Sequence, residues 1–313
     1  MKKITAFSIV MLLLAVNVAL GQQDTPNTYT YKVGEYEVIL LSEGQQNSRP
    51  TILIGATPEQ VAKAMPDGTY ASAVNAFLVR TPQTIILVDT GFGRKLFDNL
   101  SSVGVSPEDI NEVLLTHMHG DHIGGLLRDG KVAFPNATLY ISAPEVAYWT
   151  SEEIMNSMPE NRRGGFQTAQ KIVEAYRQKS SFVDFEPLAI EDALLGYVEM
   201  KDSGYAMQKT AGILGYRAYG HTPGHTAYMV ESKGERLLIW GDITHVMPIQ
   251  MPHPEISVTY DVDPKMAAES RKKILQLVSA NKITVAGMHV AYPAVGKVDE
   301  YGKGYRFTPA SDK

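Results

Sequence analysis

Thr116-His117-Met118-His119-Gly120-Asp121-His122-Ile123-Gly124-Gly125 is the stretch on which the reading of this chain turns. Three imidazoles and one carboxylate fall within six residues, just after the apolar run Val113-Leu114-Leu115. Glu112 to Thr116 predict a short buried strand. On its extended end His117 and His119, two positions apart, project to the same side. The turn at Gly120 brings Asp121 and His122 round to them. So many polar donors beside a core strand are costly to bury alone, and a metal ion satisfies all four. Four donors exceed what one ion with an open position needs, so the run predicts two adjacent ions about 3.5–4 Å apart.

Outward from that run, further donors stand where apolar segments stop. His225 lies in Gly220-His221-Thr222-Pro223-Gly224-His225-Thr226, between two expected strands. Asp242 follows Leu237-Leu238-Ile239-Trp240-Gly241, and His289 follows Val285-Ala286-Gly287-Met288. Taken singly, each reads as well as a hydrogen-bonded structural residue or a turn cap. Taken with the 117–122 run, they can converge on one edge of a sheet, where the two oxygens of Asp242 can bridge two ions. His221 and His245 read either as contacts around that site or to its substrate, or as structural residues. Tyr148, Trp149 and Met247-Pro248-Ile249-Gln250-Met251-Pro252 are candidate walls of an apolar pocket, or ordinary core.

The remaining pattern is mixed α/β. Strands are expected at Val33 to Leu41, at Ala73 to Val79 and Thr84 to Asp89 around a Thr81-Pro82-Gln83 turn, and at Ile213 to Tyr219, Tyr228 to Glu231, Arg236 to Trp240 and Ile283 to Ala286. Ser106-Pro107-Glu108-Asp109 opens a short helix, with Ser106 as N-cap and Pro107 at the first helical position. Pro144 to Met155 predicts a helix. Phe166, Ala169, Ile172, Val173 and Tyr176 place another over Phe166 to Lys179 by their spacing. Asp263-Pro264 starts a last helix that runs to Asn281. Two strand-rich blocks, each followed by helix, predict an α/β fold of four layers, an αββα sandwich.

Lys2 and Lys3, the apolar run Ile4 to Leu20 and the small residues of Ala19-Leu20-Gly21 form an export-signal pattern over 1–21; an uncleaved membrane anchor is the alternative. The run is shorter than the ~20 residues that usually span a bilayer, so no stable anchor is expected. A single hydrolase domain is then expected over 22–313, in the periplasm or outside the cell, with Gln22 to Thr28 loose. Losing Lys2 and Lys3 with no acid moves the net charge from −5 to −7. An acidic surface repels phosphate backbones and argues against a nucleic-acid partner. The chain has no cysteine, which excludes disulfides, a thiolate nucleophile and thiolate ligands. A metal site must therefore use His, Asp and Glu. Those donors suit Zn²⁺, and also Mn²⁺, Fe²⁺ or Co²⁺.

Residues 116–125 resemble the signature of the metallo-β-lactamase superfamily. The downstream Pro-Gly-His-Thr, Gly-Asp and Gly-x-His segments match it in order, over roughly 33–306. The resemblance implies the αββα fold with a dinuclear centre. His117, His119 and His225 then hold one ion, Asp121, His122 and His289 hold the other, and Asp242 bridges. It also implies that Asp89 supports the site from behind, and that the chain forms a homodimer. Ala73-Val74-Asn75-Ala76-Phe77-Leu78-Val79 and Gly302-Lys303-Gly304-Tyr305-Arg306 resemble methyl parathion hydrolase and its relatives, with the N-acyl-homoserine lactonases as a neighbouring branch. Those lactonases carry a Tyr where this chain has His245.

The function so implied is hydrolysis of a small hydrophobic lactone, carboxylic ester or organophosphate ester. Asp121 would orient the attacking hydroxide and pass a proton to the leaving group. The alternatives are a β-lactamase, against which Asp242 argues because typical ones have Cys or Ser there, a thiolesterase of the glyoxalase II kind, and a metal-binding scaffold without activity.

Overall fold

A computed structural model describes residues 27–194 and 212–311. The signal segment expected at 1–21 and most of the loose stretch that follows lie outside the described residues. Two sheets make the frame. In the first, the strands run side by side in the order Thr28–Val33, Tyr36–Ser48, Tyr70–Arg80, Ile85–Val88, Glu112–Leu114, Thr138–Ser142 and Phe182–Phe185. The pairings up to Ile85–Val88 are antiparallel, and those beyond it are parallel. In the second, the order is Ile213–Arg217, Thr226–Ser232, Glu235–Ile239, Thr284–Ala286, Val295–Tyr301 and Gly304–Pro309. There Glu235–Ile239 and Thr284–Ala286 form the parallel pair.

Alternation along each strand explains the layers. Val38, Leu40, Phe77 and Val79 join Tyr228, Val230, Leu238 and Val285 in the core between the sheets. Their neighbours Ile39, Leu41, Ala76 and Leu78 face the other way, onto helical residues Leu96, Leu100, Val146, Phe166 and Tyr176. Both faces of the first sheet are thus covered, which is why its strands read as near-continuous apolar runs. The helix Pro264–Ala280 adds Ile274, Leu275 and Val278 beside the second sheet. The four-layer αββα sandwich expected from the sequence is the observed fold. Among the described residues no helix is long and apolar enough to cross a membrane.

Local differences have local causes. The strand expected over 33–41 is split by a turn at Gly34, whose φ of +56° and contact with the Ser232 backbone leave no room for a Cβ. Thr28, expected to be loose, begins the first strand. The helix expected over 144–155 is two, Ala143–Trp149 and Glu152–Ser157, because Ser151 accepts the Ile154 N–H and starts a new helix. The helix expected from Phe166 begins at Glu160; its first turns are mostly exposed, so they add nothing to the apolar period. The closing hairpin Val295–Tyr301/Gly304–Pro309 was not foreseen, since its strands are half exposed and carry a weak pattern.

Candidate metal centre

The parallel strands deliver the donors. Asp89 follows Ile85–Val88, the His117–His122 run follows Glu112–Leu114, Asp242 follows Glu235–Ile239, and His289 follows Thr284–Ala286. The loop between Ile213–Arg217 and Thr226–Ser232 adds His221 and His225. Bonds between the sheets hold these ends in register. The Thr226 N–H donates to the Thr116 carbonyl at 2.9 Å, and the Tyr228 hydroxyl to that of Leu115 at 2.7 Å. Asn75 Nδ2 donates to the Gly287 and Val290 carbonyls at 3.1 and 2.9 Å.

At this edge three overlapping groups of donors form, one of them Asp242, His245 and His289. His117, His119, His221 and Asp242 present ligand atoms within 4.8 Å of one another, and so do Asp121, His122 and His289. His117 Nε2 lies 3.0 Å from His119 Nδ1, which lies 3.0 Å from His221 Nε2. Asp242 faces both the His117 group and the His122 group, with Oδ2 3.3 Å from His221 Nε2 and Oδ1 3.2 Å from His122 Nε2. Burial, and the nearby His122 charge, hold His117 well below the usual imidazole range; burial and the His221 charge do the same for His119. Burial disfavours the charge of Asp242, but the surrounding imidazoles outweigh it and keep this carboxyl well below the usual range.

The outer nitrogens are already engaged. His122 Nδ1 donates to Asp89 Oδ2 at 2.7 Å, His221 Nδ1 to Asp261 Oδ1 at 2.8 Å, and His289 Nδ1 to the Ala73 carbonyl at 2.9 Å. Thr116 donates to Asp89 from both its N–H and its hydroxyl, at 2.8 and 2.6 Å, so Asp89 fixes the strand end as well as the ring. With their outer N–H groups bound in this way, these rings would turn their inner nitrogens, once deprotonated, toward a bound cation. Until one binds, the effect of burial is outweighed by the facing carboxylate Asp242, which raises the pKa of all three. Buried His122 Nε2 and Asp242 Oδ1 have no hydrogen-bond partner there. This donor chemistry fits divalent cations held by nitrogen and oxygen.

The expectation for His225 is corrected. Its Nδ1 donates to the Ala218 carbonyl at 2.9 Å, and its Nε2 accepts the Asp242 N–H at 3.1 Å. Both nitrogens are used, and burial together with the nearby His221 charge pushes its pKa down to about 3. His221, four residues earlier in the same loop, occupies the place expected for His225. His225 instead props the turn that carries Asp242. Gly241, at φ +61°, is required there because a Cβ would collide with His225 Nε2. The other six expected donors, His117, His119, Asp121, His122, Asp242 and His289, come together.

Sequence reading missed three supports. Asp261 orients His221, and buried Arg271 donates to the Ile243, Pro254 and Ile256 carbonyls that frame it. Glu145, fully buried, accepts the Met118 and Gly224 N–H groups, the Thr222 hydroxyl and the Trp149 indole N–H at 2.6–2.9 Å. It therefore ties the 117–119 segment to the 220–225 loop. Asp261 and Glu145 lie far in sequence from the donors they serve, so no spacing signals them.

A cleft of about 950 Å³ opens over the donors and reaches His119, Asp121, Asp242, His245 and His289. His245 places Nε2 3.0 Å from Asp242 Oδ2 and stacks on His289 with ring centroids 4.7 Å apart. The expected apolar walls are elsewhere. Trp149 and Tyr148 pack on Phe166, with the Trp149 ring edge against His119. Ile249 is in a satellite core, and Met247 and Met251 line a separate cleft with Tyr292, Tyr305 and Phe307.

A family model described as the metallo-beta-lactamase superfamily matches residues 69–289. The chain is similar over 93% of its length to the solved hydrolase AbOPH of the beta lactamase superfamily, at 28% identity and a TM-score of 0.79, covering all of that chain. It is similar over 92% of its length to AidC, a dizinc quorum-quenching lactonase solved with a product, at 26% identity and a TM-score of 0.78, covering 98% of that chain. Among curated proteins it matches the exodeoxyribonuclease WalJ of Streptococcus pneumoniae serotype 2 (strain D39) at 26% identity, over 46% of this chain and 55% of the relative. It also matches a probable metallo-hydrolase of Mycobacterium tuberculosis at 25% identity, over 61% of this chain and 66% of the relative. The chain thus spans a little over half to two thirds of these curated relatives.

Proposed function

Because the chain belongs to the metallo-beta-lactamase superfamily, we propose that it is a metal-dependent hydrolase that cleaves a lactone, carboxylic ester or organophosphate ester of a small molecule with two divalent cations. The observation that carries this reading is the meeting of seven buried or half-buried donors beneath one cleft, four of which, His119, Asp121, Asp242 and His289, line it. His117, His119 and His221 would hold one cation and Asp121, His122 and His289 the other, with Asp242 shared between them. The donors suit Zn²⁺. Cations so held would make water a stronger nucleophile near neutral pH and would offset negative charge that develops on the substrate.

The chain's own residues do the rest. Asp89, Asp261 and the Ala73 carbonyl fix the rings of His122, His221 and His289, so the inner nitrogens need no reorganisation when a substrate arrives. Asp121 keeps its oxygens 3.5 Å from His289 Nε2 and 3.8 Å from His122 Nε2, and its side chain remains 23% exposed to the cleft. From there it can hold the proton taken from water and return it to the leaving oxygen. With no cysteine in the chain, attack by water needs no thioester intermediate. The likeness to a dizinc lactonase and to AbOPH, both over nearly the whole chain, supports this substrate class. The nuclease relative aligns over less than half of the chain, and the net charge of −5 disfavours a polyanion.

The test is a substrate panel. Protein loaded with Zn²⁺ is assayed on an acyl-lactone, a nitrophenyl ester, an aryl phosphotriester and a β-lactam. Turnover of at least one of the first three, abolished by a chelator and restored by metal, is expected. Turnover of the β-lactam alone would overturn the reading.

A further inference from the structure

The cleft that holds the donors has a cationic rim. Arg49, Arg94 and Lys95 line it together with Asp121 and Asp242, and all three are exposed. Among the described residues none of them is engaged in an ion pair. The carboxylate at the rim, Glu43, is committed elsewhere. Its oxygens accept the backbone N–H groups of Phe92, Arg94 and Lys95 at 3.2, 2.6 and 3.3 Å. Glu43 thus straps the 91–95 loop down through backbone N–H groups and does not pair with the Arg94 and Lys95 side chains. The Arg94 guanidinium lies 4.6 Å from the ring centroid of Phe92, which is 42% exposed, and Tyr260, 55% exposed, also lines the cleft.

This arrangement runs against the molecule's charge, which is −5 overall. With cations on the donors, Asp121 and Asp242 would be neutralised, and Arg49, Arg94 and Lys95 would outnumber Glu43, the one carboxylate left among the cleft's described lining residues; such a local excess selects and steers anions. Arginine presents a planar fork that matches the two oxygens of a carboxylate or a phosphate. We propose that the substrate carries an oxyanion, a carboxylate or a phosphate group, remote from the bond that is cleaved, and that Arg49, Arg94 and Lys95 seat it while an apolar spacer lies along Phe92 and Tyr260. The proposal takes the scissile bond from the hydrolase reading; the anion seat itself does not depend on that reading.

The experiment compares two matched esters on the Zn²⁺-loaded protein, the 4-nitrophenyl monoester of adipic acid and 4-nitrophenyl hexanoate. The expected ratio of kcat/KM is about tenfold in favour of the anionic ester at low salt, falling to about one in roughly 0.5 M salt. The same collapse of the ratio is expected in the triple variant Arg49→Gln/Arg94→Gln/Lys95→Gln. A ratio near one in the unaltered protein, or a ratio that the triple variant leaves in place, overturns the proposal. A phosphonate-ended ester preferred over the adipate ester identifies phosphate as the oxyanion. If neither ester is cleaved, the ester-hydrolase reading fails, and calorimetry still decides the rim. Adipic monoanilide should then bind about tenfold more tightly to the unaltered protein than to the triple variant, with no such difference for hexananilide. Equal affinities overturn the proposal. So does a short oligodeoxynucleotide that binds more tightly than the monoanilide and loses that binding in the triple variant, which would assign the rim to a polyanion.

Discussion

Asp242 faces four imidazoles, His122, His221, His245 and His289, at 3.0–3.3 Å, so one side chain links both halves of the donor cluster. Asp242→Ala should therefore cost at least one metal equivalent per chain and lower kcat/KM by more than about 100-fold. His253→Ala should leave metal content and rate within about twofold, as the polar partners of the His253 side chain among the described residues are Gln60 and Glu255, away from the donors. Elemental analysis and initial rates check both; equal losses would show that the donor assignment is wrong. The pair His221→Ala and His225→Ala separates ligand from prop. The first should fall to about one metal per chain. The second should still reach two at saturating metal, with affinity weakened by about 10-fold or more, because the Asp242 turn loses its support. The reverse pattern would restore His225 as ligand. The ambiguity between these two histidines is instructive. Gly220-His221-Thr222-Pro223-Gly224-His225 offers two rings four residues apart, and only the loop's path decides which of them turns inward. By contrast, His117 and His119 were legible from their alternation after a strand end, and Asp121 and His122 from the turn at Gly120, which the structure shows as the short helix Gly120–Ile123.

The helix Pro264–Ala280 shows how an element serves the site at a distance. Asp263 accepts the Met266 N–H at 2.9 Å, and Pro264 occupies the first turn, so the start of the helix is fixed by its own sequence and was readable from it. From its buried face Arg271 reaches the Ile243, Pro254 and Ile256 carbonyls, which holds the stretch that leads from the Asp242 turn to Asp261. Burial, partly offset by Asp261, lowers the Arg271 guanidinium to about 10, still far above neutral pH, so it remains charged there. Removing the cap with Asp263→Ala should cost about 1 kcal/mol, read as a shift in urea midpoint, while metal content at saturating zinc stays at the unaltered level. A loss of metal without a loss of stability would show that the helix start acts on the centre directly. Elements whose apolar residues all face one way, such as this helix, could be placed from sequence. The hairpin Val295–Tyr301/Gly304–Pro309 could not, because one strand lies at the sheet edge with alternating partial exposure and the signal averages out.

Across the whole molecule, donors from the first sheet (His117 to His122) meet donors from the second (His221, Asp242 and His289), and each cation would span the two. A ligand that binds only the folded state adds about 2.7 kcal/mol of stability at a hundredfold excess over Kd. For a chain of this size that corresponds to roughly 5–10 °C in Tm. Stripping the metal with a chelator should lower Tm by at least about 5 °C, and zinc should restore it; an unchanged Tm would mean that the sheets do not depend on the centre for their docking.

That division of donors has a consequence for the kind of stress the protein withstands. Many chains that must survive outside a reducing compartment clamp distant segments with sulfur bridges, which open when thiols are added. Here a cation on the proposed donors would join segments roughly 170 residues apart through nitrogen and oxygen, in a chain without a single cysteine. The weak points of such a clamp are sequestering agents and protons, which compete for the same lone pairs, and reductants have nothing to attack. The unfolding half-life in urea should therefore be insensitive to dithiothreitol at concentrations too low to strip zinc. It should shorten steeply on mild acidification or with dipicolinate.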